Sequence, residues 1–215
     1  MVQKKEFGVF GLGDFGKSIA MTLAQSGCQV MAVDMNAERV QEASDYVTMA
    51  VRADVTDTAA MSALGIGNLD VVVIAIGNSL EASVMAAIAA KEAGVPYVLA
   101  KVRSKAHATV LKKMGVDQVV FPEEAMGIRI ARSLVSGNFV DIIEMSSEFS
   151  IVEVKIPQEW EGKTLRELAI RQYNLNIIAR KDNQNIDMKI NPDRPLKAGE
   201  TYVIAGDNKS LERLR

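Results

Sequence analysis

The hexapeptide Gly11-Leu12-Gly13-Asp14-Phe15-Gly16 follows directly on a short β-branched and aromatic run, Phe7–Phe10, and opens a longer amphipathic stretch. A strand that passes within a few residues into a helix leaves little room for side chains at the turn. The three glycines then have separable tasks: Gly11 permits the tight turn, Gly13 lets a pyrophosphate approach the backbone, and Gly16 allows close packing of helix on strand. The helix N-terminus adds free N–H groups and the positive end of a dipole. An acidic residue is expected about 20 residues on, and Asp34 stands 18 residues after Gly16, at the end of the next strand-like segment. Its carboxylate is suited to accept both hydroxyls of a ribose, whereas a 2′-phosphate would meet its negative charge. The expected ligand is therefore an adenine nucleotide (ATP or ADP) or NAD(H) rather than NADP. The alternative is a glycine turn that holds no ligand.

The rhythm set by the loop continues to about residue 121. Strands are expected at Phe7–Phe10, Gln29–Asp34, Tyr46–Arg52, Asp70–Ile76, Tyr97–Val102 and Gln118–Phe121, and helices at Asp14–Ser26, Ala37–Ser44, Thr58–Leu64, Leu80–Ala93 and Lys105–Met114. Alternating strands and helices of this kind predict an α/β fold with a Rossmann-like, doubly wound parallel sheet. Ligands of such sheets bind where the strand order reverses, outside the carboxyl ends of the strands. Ala53-Asp54, after the third strand, and Ile76-Gly77-Asn78-Ser79, after the fourth, fall there and could border adenine and ribose. Lys101 and Arg103, after the fifth, could bring positive charge to the phosphates; the plainer reading is solvated loop charge. His107 and Cys28 have no visible reaction partner and read as structural.

Composition excludes several function classes. With 25 Lys and Arg against 27 Asp and Glu, no basic surplus exists to neutralise a phosphate backbone, so no nucleic-acid partner is expected. No apolar run approaches the ~18 residues that a membrane span needs, and no secretory leader is evident, so the expected location is cytoplasmic. One His and one Cys cannot make the usual zinc site, which leaves oxygen ligands for any metal.

Beyond Pro122 a helical segment, Glu123–Val135, stops near Ser136-Gly137-Asn138, where the alternation ends. The expected organisation is a nucleotide-binding domain over 1–122, a crossover helix and linker over 123–140, and a small α+β regulatory domain over 141–215. In the last, strands are expected at Phe149–Ile156, Asn176–Lys181 and Thr201–Ala205, a helix at Thr164–Gln172 and a turn at Asp182–Asn185.

The glycine loop, Asp34, the switch-point loops, Pro122-Glu123-Glu124-Ala125-Met126-Gly127, and the later Ser150-Ile151-Val152-Glu153 and Leu165-Arg166-Glu167-Leu168 together resemble the bacterial RCK (KTN) family. The likeness is to its KtrA/TrkA-type regulatory subunits of potassium uptake channels. It implies an RCK-N domain, a crossover helix and an RCK-C domain. It further implies a homodimer assembling into an octameric gating ring on the inner face of the membrane, beneath a KtrB/TrkH-like potassium channel subunit, and no enzymatic activity. Gly11, Gly13, Asp14, Phe15, Gly16, Asp34, Asp54, Ile76, Gly77, Asn78, Lys101 and Arg103 become the nucleotide-site candidates. Relatives that sense ATP commonly carry Arg where Asp14 stands, so phosphate-end recognition must differ here. By the same resemblance Glu123 matches a glutamate that binds Mg²⁺ or Ca²⁺; the alternative is a helix-capping charge. Leu165, Arg171, Asn176 and Pro192 match positions that bind cyclic di-AMP in the family, with Arg166 in place of a second apolar residue. The alternative makes Leu165 core and Arg171 surface. The competing class for the whole chain is an NAD-dependent oxidoreductase, against which no acid–base pair is evident near the expected nicotinamide position.

Overall fold

The computed structural model describes residues 5–135, 139–146, 148–182 and 185–214. The chain divides into two compact units, Met1–Glu123 and Glu124–Arg215, a division inside the first turn of the helix that begins at Pro122. The linker stop expected at Ser136-Gly137-Asn138 lies outside the described residues.

The first unit runs β1 (Glu6–Phe10), α1 (Asp14–Gln25), β2 (Gln29–Asp34), α2 (Ala37–Ala43), β3 (Met49–Arg52), α3 (Thr58–Ala63), β4 (Val71–Ile74), α4 (Leu80–Glu92), β5 (Tyr97–Lys101), α5 (Lys105–Lys113) and β6 (Gln118–Val120). All six strands pair in parallel in the order β3-β2-β1-β4-β5-β6, which is the Rossmann-like sheet expected from the alternation. Successive side chains of a strand face opposite ways. Accordingly Val9, Val30, Ala32 and Val73 join α1 and α2 in one core, while Phe10, Val72, Ile74, Val98 and Ala100 join α3, α4 and α5 in another. The strand order reverses between β1 and β4, and the glycine loop leaves β1 at that point.

Two strands are shorter than expected by three residues, and β5 and β6 by one. β3 begins at Met49 rather than Tyr46, because the N–H groups of Tyr46 and Val47 donate to Ala43 O and finish α2 instead. β4 ends at Ile74 rather than Ile76, opposite Phe10, the last residue of β1.

The second unit contains the remainder of α6 (Pro122–Val135), then β7 (Phe139–Glu144), β8 (Phe149–Lys155), α7 (Leu165–Leu168), β9 (Leu175–Asp182), β10 (Asn185–Asp187), β11 (Thr201–Asp207) and α8 (Asn208–Leu211). Its sheet is antiparallel, ordered β10-β9-β11-β8-β7. Alternation along β8 and β11 puts Val152, Val154, Tyr202 and Ile204 into a core shared with Leu165, Ile170, Leu175 and Leu211. The expected helix over Thr164–Gln172 is broken. A capping box between Thr164 and Glu167 starts α7, but Ala169 takes a left-handed conformation at φ 48° and a 3₁₀ turn, Ile170–Tyr173, follows. Leu165 and Leu168 share a helix face, whereas Ile170, two residues on, would point away from it; the reversal at Ala169 returns Ile170 to the core. The middle residues of the expected turn, Asn183-Gln184, lie outside the described residues.

One buried polar pair ties α4 to α5. His107 Nε2 lies 3.1 Å from the hydroxyl of the fully buried Ser83, and burial holds the imidazole below its ordinary pKa. The unfolded chain therefore takes up a proton as pH falls through about 6.5 while the fold resists it, so stability is complete above that value and declines below it, by at most about 1.4 kcal/mol per pH unit. Because His107 is the only histidine, His107→Gln should flatten the melting-temperature profile between pH 7 and 5.5; an unchanged slope would assign the acid sensitivity to other groups.

Candidate functional site

Three glycines in one loop have three different reasons to be glycine. Gly11 has φ +94° and donates its N–H to Val33 O at 2.8 Å, which stitches the loop to β2; a Cβ there would meet Ile76 Cγ1 at 3.0 Å. At Gly16 a Cβ would overlap the carbonyl oxygen of Gly11 and lie 2.9 Å from Ala75 Cβ, so helix and loop touch backbone to backbone. Gly13 differs from both. Its φ of −66° and ψ of −179° suit any residue, and a Cβ would meet nothing within 4 Å. No internal steric demand accounts for glycine at this N-cap, and α1 starts with no side-chain cap on its N–H groups. An open cradle at an uncapped helix N-terminus is suited to an anion whose atoms approach the backbone.

Asp34, at the end of β2, is 7% exposed. Its Oδ2 accepts the Leu12 N–H at 2.6 Å and its Oδ1 the Asn36 N–H at 2.8 Å. A carboxylate offers about four lone-pair sites, so about two remain for hydroxyl donors. Beside it, Arg39 on the first turn of α2 brings NH1 to 3.6 Å from Oδ2. Sequence reasoning did not single out Arg39; its signal is its place on the helix that follows the acid. Ala53 N–H donates to Asp34 O at 3.2 Å, which sets the Asp54 segment next to this carboxylate's backbone. Asp54 itself is exposed and accepts from the Thr56 N–H and hydroxyl, hydrogen bonds that hold its carboxyl below the usual range.

Across the loop, Ile76 packs toward Gly11, and a Cβ on Gly77 would meet Arg103 Nε at 3.1 Å and Lys101 Cε at 3.4 Å. Lys101 is the most enclosed cation here, 12% exposed, ion-paired with Glu123 and set 5.5 Å from the centroid of the Phe15 ring. The hydrogen bond from Lys101 lowers the pKa of Glu123 most, aided by the helix-start N–H of Glu123 and by the charges of Lys101 and Arg103. Asp14 is exposed in the first turn of α1, Asn78 is exposed, and Ser79 caps α4 through the Ala82 N–H. Lys101 is thus joined to the loop through Phe15 and to α6 through Glu123, where the sequence allowed a loop charge in solvent. Among the described residues no group of three or more His, Cys, Asp or Glu could hold a metal ion. Glu123 would be a single carboxylate donor.

The second-ligand candidates in the C-terminal unit are spread between core and surface. Leu165 is buried in the core, Arg171 is exposed on the 3₁₀ turn, Asn176 is exposed on β9, and Pro192 is exposed with its carbonyl accepting from Arg166 N–H at 3.2 Å. Arg166, which stands in place of the second apolar residue, forks onto Asp193, at 2.6 and 3.0 Å.

Comparison with known proteins matches residues 7–122 to the TrkA-N domain and residues 149–215 to the TrkA-C domain. The Ktr system potassium uptake protein C of Bacillus subtilis (strain 168) is 40% identical over 98% of this chain and 96% of its own length. Protein A of the same system and organism is 35% identical over 99% of this chain and 96% of its own length. The crystal structure of the GsuK RCK domain, 19% identical, superimposes with a TM-score of 0.65 over 99% of this chain and 48% of that chain, a likeness of fold.

The different reasons for the glycines separate folding from binding. Gly16→Ala should cost at least about 2 kcal/mol of unfolding free energy through forced backbone shifts. Gly13→Ser supplies a better N-cap and should leave stability within about 0.5 kcal/mol or raise it. Urea unfolding of the full chain checks both; equal losses would mean that Gly13 too is a packing glycine.

Proposed function

The chain belongs to the family that joins a TrkA-N domain to a TrkA-C domain, and on that footing we propose that it is a nucleotide-sensing regulatory subunit of a potassium uptake system. The near full-length similarity to two Ktr system potassium uptake proteins supports the transport role. The observation that carries the nucleotide role is the open cradle at Gly13 beside a buried Asp34 with acceptor sites to spare.

In this reading an adenine nucleotide or NAD(H) lies along the carboxyl edge of the sheet. Asp34 accepts from the ribose hydroxyls, Gly11, Gly13 and Gly16 let the phosphates reach the start of α1, and Asp54, Ile76, Gly77 and Asn78 border the remainder. Lys101 and Arg103, with Phe15 beneath Lys101, meet the outer phosphates. Asp14 adds negative charge at that end, so a divalent cation such as Mg²⁺ or Ca²⁺ favours the more highly charged ligands, with Glu123 lending one carboxylate and phosphate oxygens the other donors. Glu123 must then leave Lys101, whose charge passes to the phosphates. Arg171, Asn176, Pro192 and the Leu165 segment form the second-ligand surface, with cyclic di-AMP as its candidate.

Assembly follows from α6, which exposes Met126, Ile130 and Leu134 at four-residue spacing. A helix with an uncovered apolar stripe fits packing against a second chain, and we assign it the dimer contact, with dimers closing into an octameric ring on a membrane potassium channel subunit. Among the described residues no helix is long and apolar enough to cross a membrane, in keeping with a peripheral place on the cytoplasmic face. The domain division proposed is 1–122, 123–140 and 141–215, and no catalytic step is assigned to any residue.

Calorimetry with ATP, ADP and NADH should give saturable binding of at least one, weakened at least roughly tenfold in Gly13→Ser. No binding to the wild type, or equal affinities in both proteins, would overturn the nucleotide assignment. For assembly, light scattering should give a mass of a dimer or higher. A strictly monomeric mass with and without nucleotide would refute that part, and turnover of NADH with a metabolite would favour an oxidoreductase.

A further inference from the structure

The side chain of Arg39 is half exposed, 51%, with its guanidinium 3.6 Å from the buried carboxylate that ends β2. Among the described residues no guanidinium N–H of Arg39 makes a hydrogen bond, only its backbone N–H doing so, to Asn36 Oδ1, and Glu42, one turn further along α2, is engaged with Lys17. A half-exposed ion pair without hydrogen bonds contributes little to stability, so the pair itself gives no strong reason for an arginine at this place. Asp34 cannot move aside. Both its oxygens are fixed by backbone N–H donors, from the glycine loop and from the turn before α2.

The ribose end of the site therefore presents a rigid acceptor and, next to it, a guanidinium with open donors. A 2′-hydroxyl suits the first; a 2′-phosphate is repelled by it but suits the second, since a planar fork of N–H groups matches phosphate oxygens. Arginine near the acid at this point of a Rossmann sheet can accommodate a 2′-phosphate. We propose that Arg39 is a specificity-determining residue that lets the site hold adenosine phosphorylated at the ribose 2′ position, which Asp34 alone would reject. This rests on the nucleotide reading above and extends it to the choice of ligand.

The test uses two probes that differ only in the 2′ group, adenosine 5′-monophosphate and adenosine 2′,5′-bisphosphate, each competed against bound ADP on the full chain. Wild type should bind the bisphosphate within about tenfold of the monophosphate. Arg39→Gln should weaken the bisphosphate roughly tenfold or more while changing the monophosphate by less than about twofold, and Arg39→Lys, which keeps the charge without the fork, should regain part of the loss. If Arg39→Gln weakens both probes alike, or neither, Arg39 does not set this selectivity and the proposal fails while the nucleotide site stands. If ADP does not bind wild type, the nucleotide reading fails and this proposal falls with it.

Discussion

The hydrogen bond from the Leu12 N–H to the Asp34 carboxylate, 2.6 Å long and buried, fixes the arrangement on which the candidate site depends. It holds the glycine loop of β1 against the end of β2, beside the Gly11–Val33 backbone bond. With the loop fixed from that side, Gly16 can press onto Gly11 and aim α1 at the crevice where the strand order reverses. A charge-assisted bond out of water is worth more than its neutral counterpart, and a lost partner would strand a buried carboxylate. One side chain thus serves the geometry of the loop and, in the proposed site, the recognition of a ribose. A change at Asp34 cannot separate the two, whereas Gly13, which supports nothing internally, can.

A second chain of contacts runs from the loop outward. Phe15, on the first turn of α1, lies near the Lys101 ammonium, and Lys101 pairs with Glu123 at the start of α6. Lys101 is drawn inward by the aromatic ring and the carboxylate together, in a setting where charges interact more strongly than in bulk water. Anything that competes for Lys101 acts on Glu123, the second residue of α6.

Much of the first unit was legible because parallel sheets buried on both faces write themselves as β-branched runs between helices, and Gly11, Gly13, Gly16 and Asp34 fall in a spacing set by loop geometry. Legibility ended where a contact, rather than a pattern, decides the outcome. Tyr46 and Val47 read as strand, yet Ala43 O takes both N–H groups. Lys101 read as an option between phosphate partner and solvent, and its partners Phe15 and Glu123 are distant in sequence. In the second unit β7 and β10 went unread because each is an edge strand paired on one side only, β7 with a register shift and β10 short and polar. The break at Ala169 carries no glycine to announce it. Burial of Ile170 imposes it, and with Asn174, also left-handed at φ 55°, it brackets the turn that presents Arg171.

The central claim is that the cradle between Gly13 and Asp34 exists for an adenosine-containing ligand. Mass spectrometry of small molecules released by denaturing the freshly purified full chain tests it most directly. The account predicts an adenine nucleotide or NAD(H) in a substantial fraction of chains, or full loading after incubation with ATP, ADP or NADH. A protein that is free of nucleotide and takes up none of the three, while folded and intact, would contradict it.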